Sequence, residues 1–183
     1  MRLSEDSALE LDDIDLRILG ILQDNCRASL SRIGEAVSLS APAVLERIKK
    51  LEAARVIRGY HATLDARLLG LDVTAFIGVT TSRPESIERI EQQIGELDEV
   101  LECHHVTGEH TLLLKVKTAN TSTLERLISR IRSFEGVART ETVVVLSTHT
   151  ERSQVELYPT VPPAGGKRVR RGAERNGGNG RRG

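Results

Sequence analysis

Apolar residues near the N-terminus fall at Ile14, Ile18, Ile21 and Leu22, the stripe expected of one helical face. The spacing predicts a helix over residues 12–24. Asp12 stands where a side-chain oxygen can cap the first backbone N–H groups, and Asp13 and Asp15 place negative charge at the positive helix end. Leu30, Ile33 and Val37 repeat the stripe in a shorter helix that starts at Ser29 as N-cap, and Ser38-Leu39 breaks it. Val44, Ile48 and Leu51 then follow an i, i+4, i+7 pattern behind Ser40 as a third N-cap. Pro42 is tolerated in that first turn, where backbone N–H groups have no intrahelical acceptor. Residues 56–62, VIRGYHA, read as a strand.

The second half changes period. Residues 74–80 are β-rich, and residues 84–97 are helical with Ile87, Ile90 and Ile94 inward. Residues 100–106 and 111–117 read as strands around a tight Thr107-Gly108-Glu109-His110 turn. Residues 121–134 form a helix with Leu124, Leu127, Ile128 and Ile131 inward, which Gly136 ends. Residues 137–148 read as a long strand centred on Val143-Val144-Val145-Leu146. The β-α-β-β-α-β order is the ferredoxin-like pattern, with helices on one sheet face and a partner subunit expected on the other. The fold class is therefore α+β. A winged helix-turn-helix domain covers 11–62, a linker with a turn at Gly70 covers 63–72, and a ferredoxin-like domain covers 73–152.

Composition adds a third part. The 183 residues carry no net charge, yet residues 159–183 hold seven basic side chains and Glu174, a net +6 that leaves −6 on the rest. The segment PPAGGKRVRRGAERNGGNGRRG is too polar to bury a core, so a disordered basic tail is expected. A basic tail on an acidic body suits nucleic-acid binding. Aromatics are only 2%, so Leu, Ile and Val must build the cores. No run approaches the roughly 20 apolar residues of a membrane span, and no secretory signal is visible. Cys26 and Cys103 are too few and too far apart for a disulfide framework. A cytoplasmic protein without a membrane partner is expected.

Two short helices across a tight break, behind a supporting helix, make a helix-turn-helix arrangement whose second helix enters the major groove of double-stranded DNA. Its outward positions include Ser40, Ala41, Ala43, Glu46, Arg47, Lys49 and Lys50. Arg47 is expected at guanine edges or phosphates, and Lys49 and Lys50 at phosphates. Ser29 and Ser40 stand where N–H groups and hydroxyls can grip phosphate oxygens. The competing reading is a solvated face with a Glu46–Lys50 surface pair.

These residues also carry a resemblance. Asp12-Asp13-Ile14-Asp15-Leu16-Arg17-Ile18-Leu19 is followed by Asn25-Cys26-Arg27-Ala28-Ser29 and by Leu39-Ser40. Val44, Arg47, Ile48, Leu51-Glu52 and Val56-Ile57-Arg58-Gly59-Tyr60 complete the string. Together they resemble the leucine-responsive regulator/AsnC (feast/famine) family of transcription regulators over roughly residues 11–152. The resemblance implies a sequence-specific, DNA-binding transcription regulator. It implies homodimers formed through the second half, assembling into tetramers or octamers. It also implies a free amino-acid effector held at a subunit interface near the Gly108 turn. Two positions depart from the family pattern. Arg55 replaces a Gly at a position suited to a left-handed cap, and His110-Thr111 replaces a Tyr-Asp pair.

The turn chemistry fits a small zwitterion. Gly108 permits close backbone approach, and turn N–H groups can hold a carboxylate. Glu109 or Thr111 could accept from an ammonium, His110 could touch the effector, and Thr140, Glu141 and Thr142 are candidates from a neighbouring subunit. No other cofactor is expected. Cys103, His104, His105 and His110 offer metal-ligand types, but adjacent strand residues face opposite ways, so no metal site is expected. Cys103 reads as a buried filler and Cys26 as structural. Alternatives are a DNA-wrapping architectural protein without effector, and an enzyme resembling sirohaem decarboxylases that uses His104, His105 and Arg139. No nucleophile or paired acid–base constellation supports the enzyme.

Overall fold

The computed structural model describes residues 11–158, and its contacts divide them into two units. The first comprises residues 11–61 with 153–158, the second residues 62–152. The expected tail, 159–183, lies outside the described residues.

In the first unit, α1 (Asp13–Asp24), α2 (Leu30–Val37) and α3 (Ala41–Ala53) enclose a core of Ile18, Ile33, Val37, Val44 and Ile48. These are the inward positions that the helical periods predict. Asp12 caps α1 in a reciprocal box: its Oδ1 accepts from the Asp15 N–H at 2.8 Å, and Asp15 Oδ2 accepts from the Asp12 N–H at 3.3 Å. Ser29 and Ser40 accept from the N–H groups of Arg32 and Ala43 and so cap α2 and α3. The break between those helices turns through Ser38, at φ 59°, and brings the Leu39 carbonyl over Gly34. A Cβ at residue 34 would lie 2.4 Å from that oxygen, so only glycine lets the turn close this tightly.

After α3 the chain leaves the helix through Arg55 at φ 59°, the left-handed position anticipated from the family pattern. The strand expected over 56–62 does not form: none of these residues joins a ladder. Extended backbone becomes a strand only when another strand satisfies its N–H and C=O groups. The segment is instead tied back through Tyr60, whose hydroxyl donates to Glu52 at 2.9 Å. Burial, and then Glu52, push the Tyr60 phenol up to about 12.

The second unit is β1 (Val73–Thr81), α4 (Ile87–Gly95), β2 (Val100–His105), β3 (Leu112–Thr118), α5 (Thr121–Arg132) and β4 (Val137–Val144). The sheet order is β2-β3-β1-β4, with every neighbouring pair antiparallel, as the ferredoxin-like pattern requires. A short 3-10 turn, Pro84–Ser86, precedes α4, so the helix starts three residues later than its apolar period suggests. Strand β4 stops at Val144, and Leu146, expected near its centre, is exposed.

Register assigns the faces. Ala75, Ile77 and Val79 pair with Val116, Leu114 and Leu112 of β3, and these six are fully buried under α4 and α5. The other face carries Phe76 opposite Lys115 and Val143, and Gly78 opposite Leu113 and Glu141. Phe76 is 37% exposed and Val143 63%. Cys103, expected to be buried, lies exposed on edge strand β2, where burial of its surroundings still raises the thiol above its ordinary value.

Candidate nucleic-acid interface and effector turn

The outward edge of α3 is set by its capped start and its buried stripe. Val44, Ile48 and Leu51 face the core, which turns Ser40, Glu46, Lys49 and Lys50 to solvent and leaves Ala41 and Ala43 half-buried. Lys49 and Lys50 form no ion pair among the described residues, so the Glu46–Lys50 pair of the competing reading is not made. Ser29 and Ser40 use an oxygen lone pair to cap their helices, which leaves each hydroxyl proton available to an outside acceptor. Residues 40–61 hold five basic side chains (Arg47, Lys49, Lys50, Arg55, Arg58) against Glu46 and Glu52, a net +3.

Arg47 departs from the expectation. Its Nη1 lies 2.7 Å from Asp12 Oδ2 and 2.7 Å from Asp15 Oδ1, and the Asp15 side chain is 6% exposed. In this arrangement the guanidinium is shared by two carboxylates; it fastens α3 to the start of α1 and supplies the charge partner that a buried aspartate needs. The backbone N–H of Asp15, then Arg47, hold the Asp12 carboxyl below its ordinary value, and the Asp12 and then the Asp15 carboxylate raise Arg47. The signal for this pair was present as Asp12-x-x-Asp15, but only packing places Arg47 against it.

The β2–β3 turn collects a different set of groups. Gly108 takes φ 116°, with open space where a Cβ would be. Thr111 Oγ1 accepts from the Thr81 N–H at 3.2 Å and also lies 3.2 Å from the Thr81 hydroxyl. The His110 ring rests directly on Gly78: a Cβ there would sit 2.5 Å from the imidazole. The ring's Nε2 is 3.6 Å from Glu141 Oε2, and its buried Nδ1 has no hydrogen-bond partner among the described residues. Glu109, His110 and Glu141 bring one ligand-type atom each within 4.8 Å of the others. Arg139 approaches Glu141 at 3.4 Å.

The pleat separates the remaining candidates. Thr140 pairs with Val79 and Thr142 with Ile77, both on the helix-covered face, whereas Glu141 pairs with Gly78 on the open face beside His110. Of the three β4 residues, Glu141 alone shares the turn's surroundings, because neighbours along a strand point to opposite faces. Within one chain, Thr140 and Thr142 therefore lie on the sheet face away from His110. It also divides the residues of the enzyme reading. His104 pairs with Leu113 on the open face and bonds Glu102 at 3.1 Å, while His105 pairs with Leu112 on the covered face.

Comparison with known proteins accounts for both units. The AsnC-type helix-turn-helix domain matches residues 11–52, and the Lrp/AsnC ligand binding domain matches residues 74–155. The HTH-type transcriptional regulator FL11 of Pyrococcus abyssi is 32% identical over 149 residues, which are 81% of this chain and 98% of that protein. The leucine response regulatory protein LrpA of Mycobacterium tuberculosis has a crystal structure that superposes with a TM-score of 0.73 at 31% identity, covering 79% of this chain and 99% of that one. A transcriptional regulator of Neisseria meningitidis, solved as a complex with L-Met, superposes with a TM-score of 0.75 at 29% identity, covering 80% and 96%. The relatives are named as regulators, not enzymes. A capped helix-turn-helix followed by a four-stranded ferredoxin-like sheet, matched along almost the whole length of these relatives, makes this chain a member of the Lrp/AsnC family of transcriptional regulators.

Proposed function

We propose that the protein binds a specific DNA sequence through the outer edge of α3 and that a free amino acid modulates this binding. The observation that carries the reading is the edge itself: Ser40 at the capped start and Lys49 and Lys50 without ion-pair partners among the described residues, on a helix whose other face is buried. Lys49 and Lys50 contact phosphates, and Ser40, Ala41 and Ala43 approach base edges. Two copies join through the open sheet face, where Phe76, Leu113 and Val143 would leave water, and dimers assemble further into tetramers or octamers.

The effector's carboxylate is held by N–H groups of the turn at Gly108, and its ammonium by Glu141 and Glu109 beside His110. Glu141 thus supplies the acid that the His110-Thr111 pair lacks. The L-Met bound to the Neisseria relative supports an amino acid as the ligand class.

The test is a DNA-binding titration on operator fragments selected from the genome of origin, with and without amino acids. Lys49→Ala with Lys50→Ala should weaken binding and lower the slope of log affinity against log salt by about 2, roughly 0.9 per lost phosphate contact. Gly108→Asp and Glu141→Gln should each abolish the amino-acid response, while Thr142→Ala retains it. A response surviving both turn variants would place the effector elsewhere. No response to any of the common amino acids would leave a DNA-wrapping protein without effector.

A further inference from the structure

The turn that carries Glu109 and His110 is pinned to the central strand β1. The Thr111 N–H donates to the Val79 carbonyl at 2.9 Å, and the Thr80 hydroxyl donates to the Glu109 carbonyl at 3.3 Å. Glu141 reaches the same place from β4, whose register sets it directly opposite Gly78. Gly78 has no side chain to fill the space between them, and the His110 ring lies there, 2.5 Å from where a Cβ would stand. Backbone pairing therefore gathers three side chains from two distant segments over one strand.

Glu109, His110 and Glu141 each bring a ligand-type atom within 4.8 Å of the other two, and among the described residues no other three His, Cys, Asp or Glu side chains converge in this way. His110 Nε2 stands 3.6 Å from Glu141 Oε2. That exceeds the roughly 2.7–3.2 Å of an N–H···O hydrogen bond. Two ligands held at about 2.0–2.1 Å from one ion, at a tetrahedral angle, stand about 3.4 Å apart. The pair is thus spaced for an ion between its members, and the exposed Glu109 side chain can close on that ion by a change of rotamer. The ring's Nδ1 is buried without a partner among the described residues, and its Nε2 is too far from Glu141 to bond it. No hydrogen bond commits the imidazole to one tautomer, so Nε2 can present its lone pair with the proton on Nδ1. The cation beside the carboxylates is Arg139, whose Nη2 lies 3.4 Å from Glu141 Oε2. Its side chain is 70% exposed, so solvent screens that pair and an ion can displace it.

We propose that Glu109, His110 and Glu141 bind a divalent transition-metal ion. One imidazole and two carboxylates suit Zn²⁺ and its neighbours, whereas Mg²⁺ and Ca²⁺ favour all-oxygen sets. Three protein ligands leave the fourth tetrahedral position to water or to a ligand of the ion. Of the metal-ligand types that cluster in sequence around the turn, His110 alone takes part; Glu141, distant in sequence, takes the place of Cys103, His104 and His105. The same carboxylates are assigned above to the ammonium of an effector. Ion binding is therefore measured without amino acids or DNA, and its outcome is independent of that reading.

Full-length protein stripped with a chelator is titrated calorimetrically with Zn²⁺ and, separately, with Mg²⁺. Zn²⁺ should bind at one ion per chain and at least ten-fold more tightly than Mg²⁺. His110→Ala and Glu141→Gln should each weaken Zn²⁺ binding by about ten-fold or more, since losing even a group behind a ligand costs about 10- to 100-fold. Glu141→Gln preserves size and exposure, and circular dichroism with thermal melting checks that every variant is folded. Cys103→Ser and His104→Ala, on the neighbouring strand, should bind as the parent does. Arg139→Ala should bind Zn²⁺ more tightly, a gain that misfolding cannot produce. In nitrogen-15 spectra of the imidazoles, Zn²⁺ should move the His110 Nε2 resonance and leave the proton on Nδ1. A parent that binds no Zn²⁺ at millimolar concentration would overturn the site. So would binding that survives both His110→Ala and Glu141→Gln, or that is lost in Cys103→Ser or His104→Ala while Glu141→Gln retains it. Weaker binding by Arg139→Ala would overturn it as well.

Discussion

The two units place their function differently with respect to their cores. The helical unit closes on itself: Ile18, Ile33, Val37, Val44 and Ile48 meet inside, and the functional edge is whatever α3 leaves outside. The sheet unit closes on one side only. Its helices cover Ala75, Ile77 and Val79, while Phe76, Val143, His110 and Glu141 remain on or beside the other face. In the first unit a residue's role follows from its angle on a helix. In the second it follows from which sheet face register gives it, and a shift of one residue exchanges the roles.

In each unit a glycine beside a functional element permits a close approach, Gly34 under Leu39 and Gly78 under His110, and the comparison can be broken there. Gly34→Ala sets a Cβ against the Leu39 backbone, which cannot rotate away. It should destabilise the helical unit by about 3 kcal/mol, in the range of severe overpacking. Urea unfolding followed by a probe in each unit should show the loss in the helical transition alone; equal midpoints in variant and parent would mean that the turn has another way to close.

Arg47→Ala comes next, with an expected cost of about 2 kcal/mol, because Asp15 is left buried without its cation. The acid limb of stability should change as well. The Asp12 carboxyl is held below its ordinary value in the folded state, so its contribution is full at neutral pH. That contribution is lost as pH falls from about 5 through the folded value. Removing Arg47 should flatten this fall. A variant as stable as the parent, with selective loss of operator recognition, would return Arg47 to base reading.

Gly78→Ala should have the smallest effect, about 1 kcal/mol or less, since the His110 ring can swing aside where the Leu39 carbonyl cannot. Its larger consequence should fall on the amino-acid response, because the displaced ring no longer holds its place beside Glu141. A lost response with little lost stability would sharpen the contrast between the two glycines.

Much of the helical unit was legible in local chemistry. Asp12, Ser29 and Ser40 announce three helix starts by side-chain type, and each accepts the hydrogen bond its position predicts. The strand read at 56–62 did not form because a strand is a relation between two segments, and none among the described residues pairs with this one. The turn at Gly108 was legible from glycine. That Glu141 and not Thr140 or Thr142 stands near it was not, since β4 register is fixed by pairing with β1.

By itself the sequence determined the order of elements, their caps and their buried stripes, because propensity, capping and hydrophobic period act within a few residues. It also determined the charge placed beyond residue 158. Only the tertiary structure decided that Arg47 serves Asp12 and Asp15, that His110 lies on Gly78, and that Gln23 binds Val155 across 132 positions of chain. Those contacts join groups distant in sequence, and their geometry exists only once packing has brought the segments together.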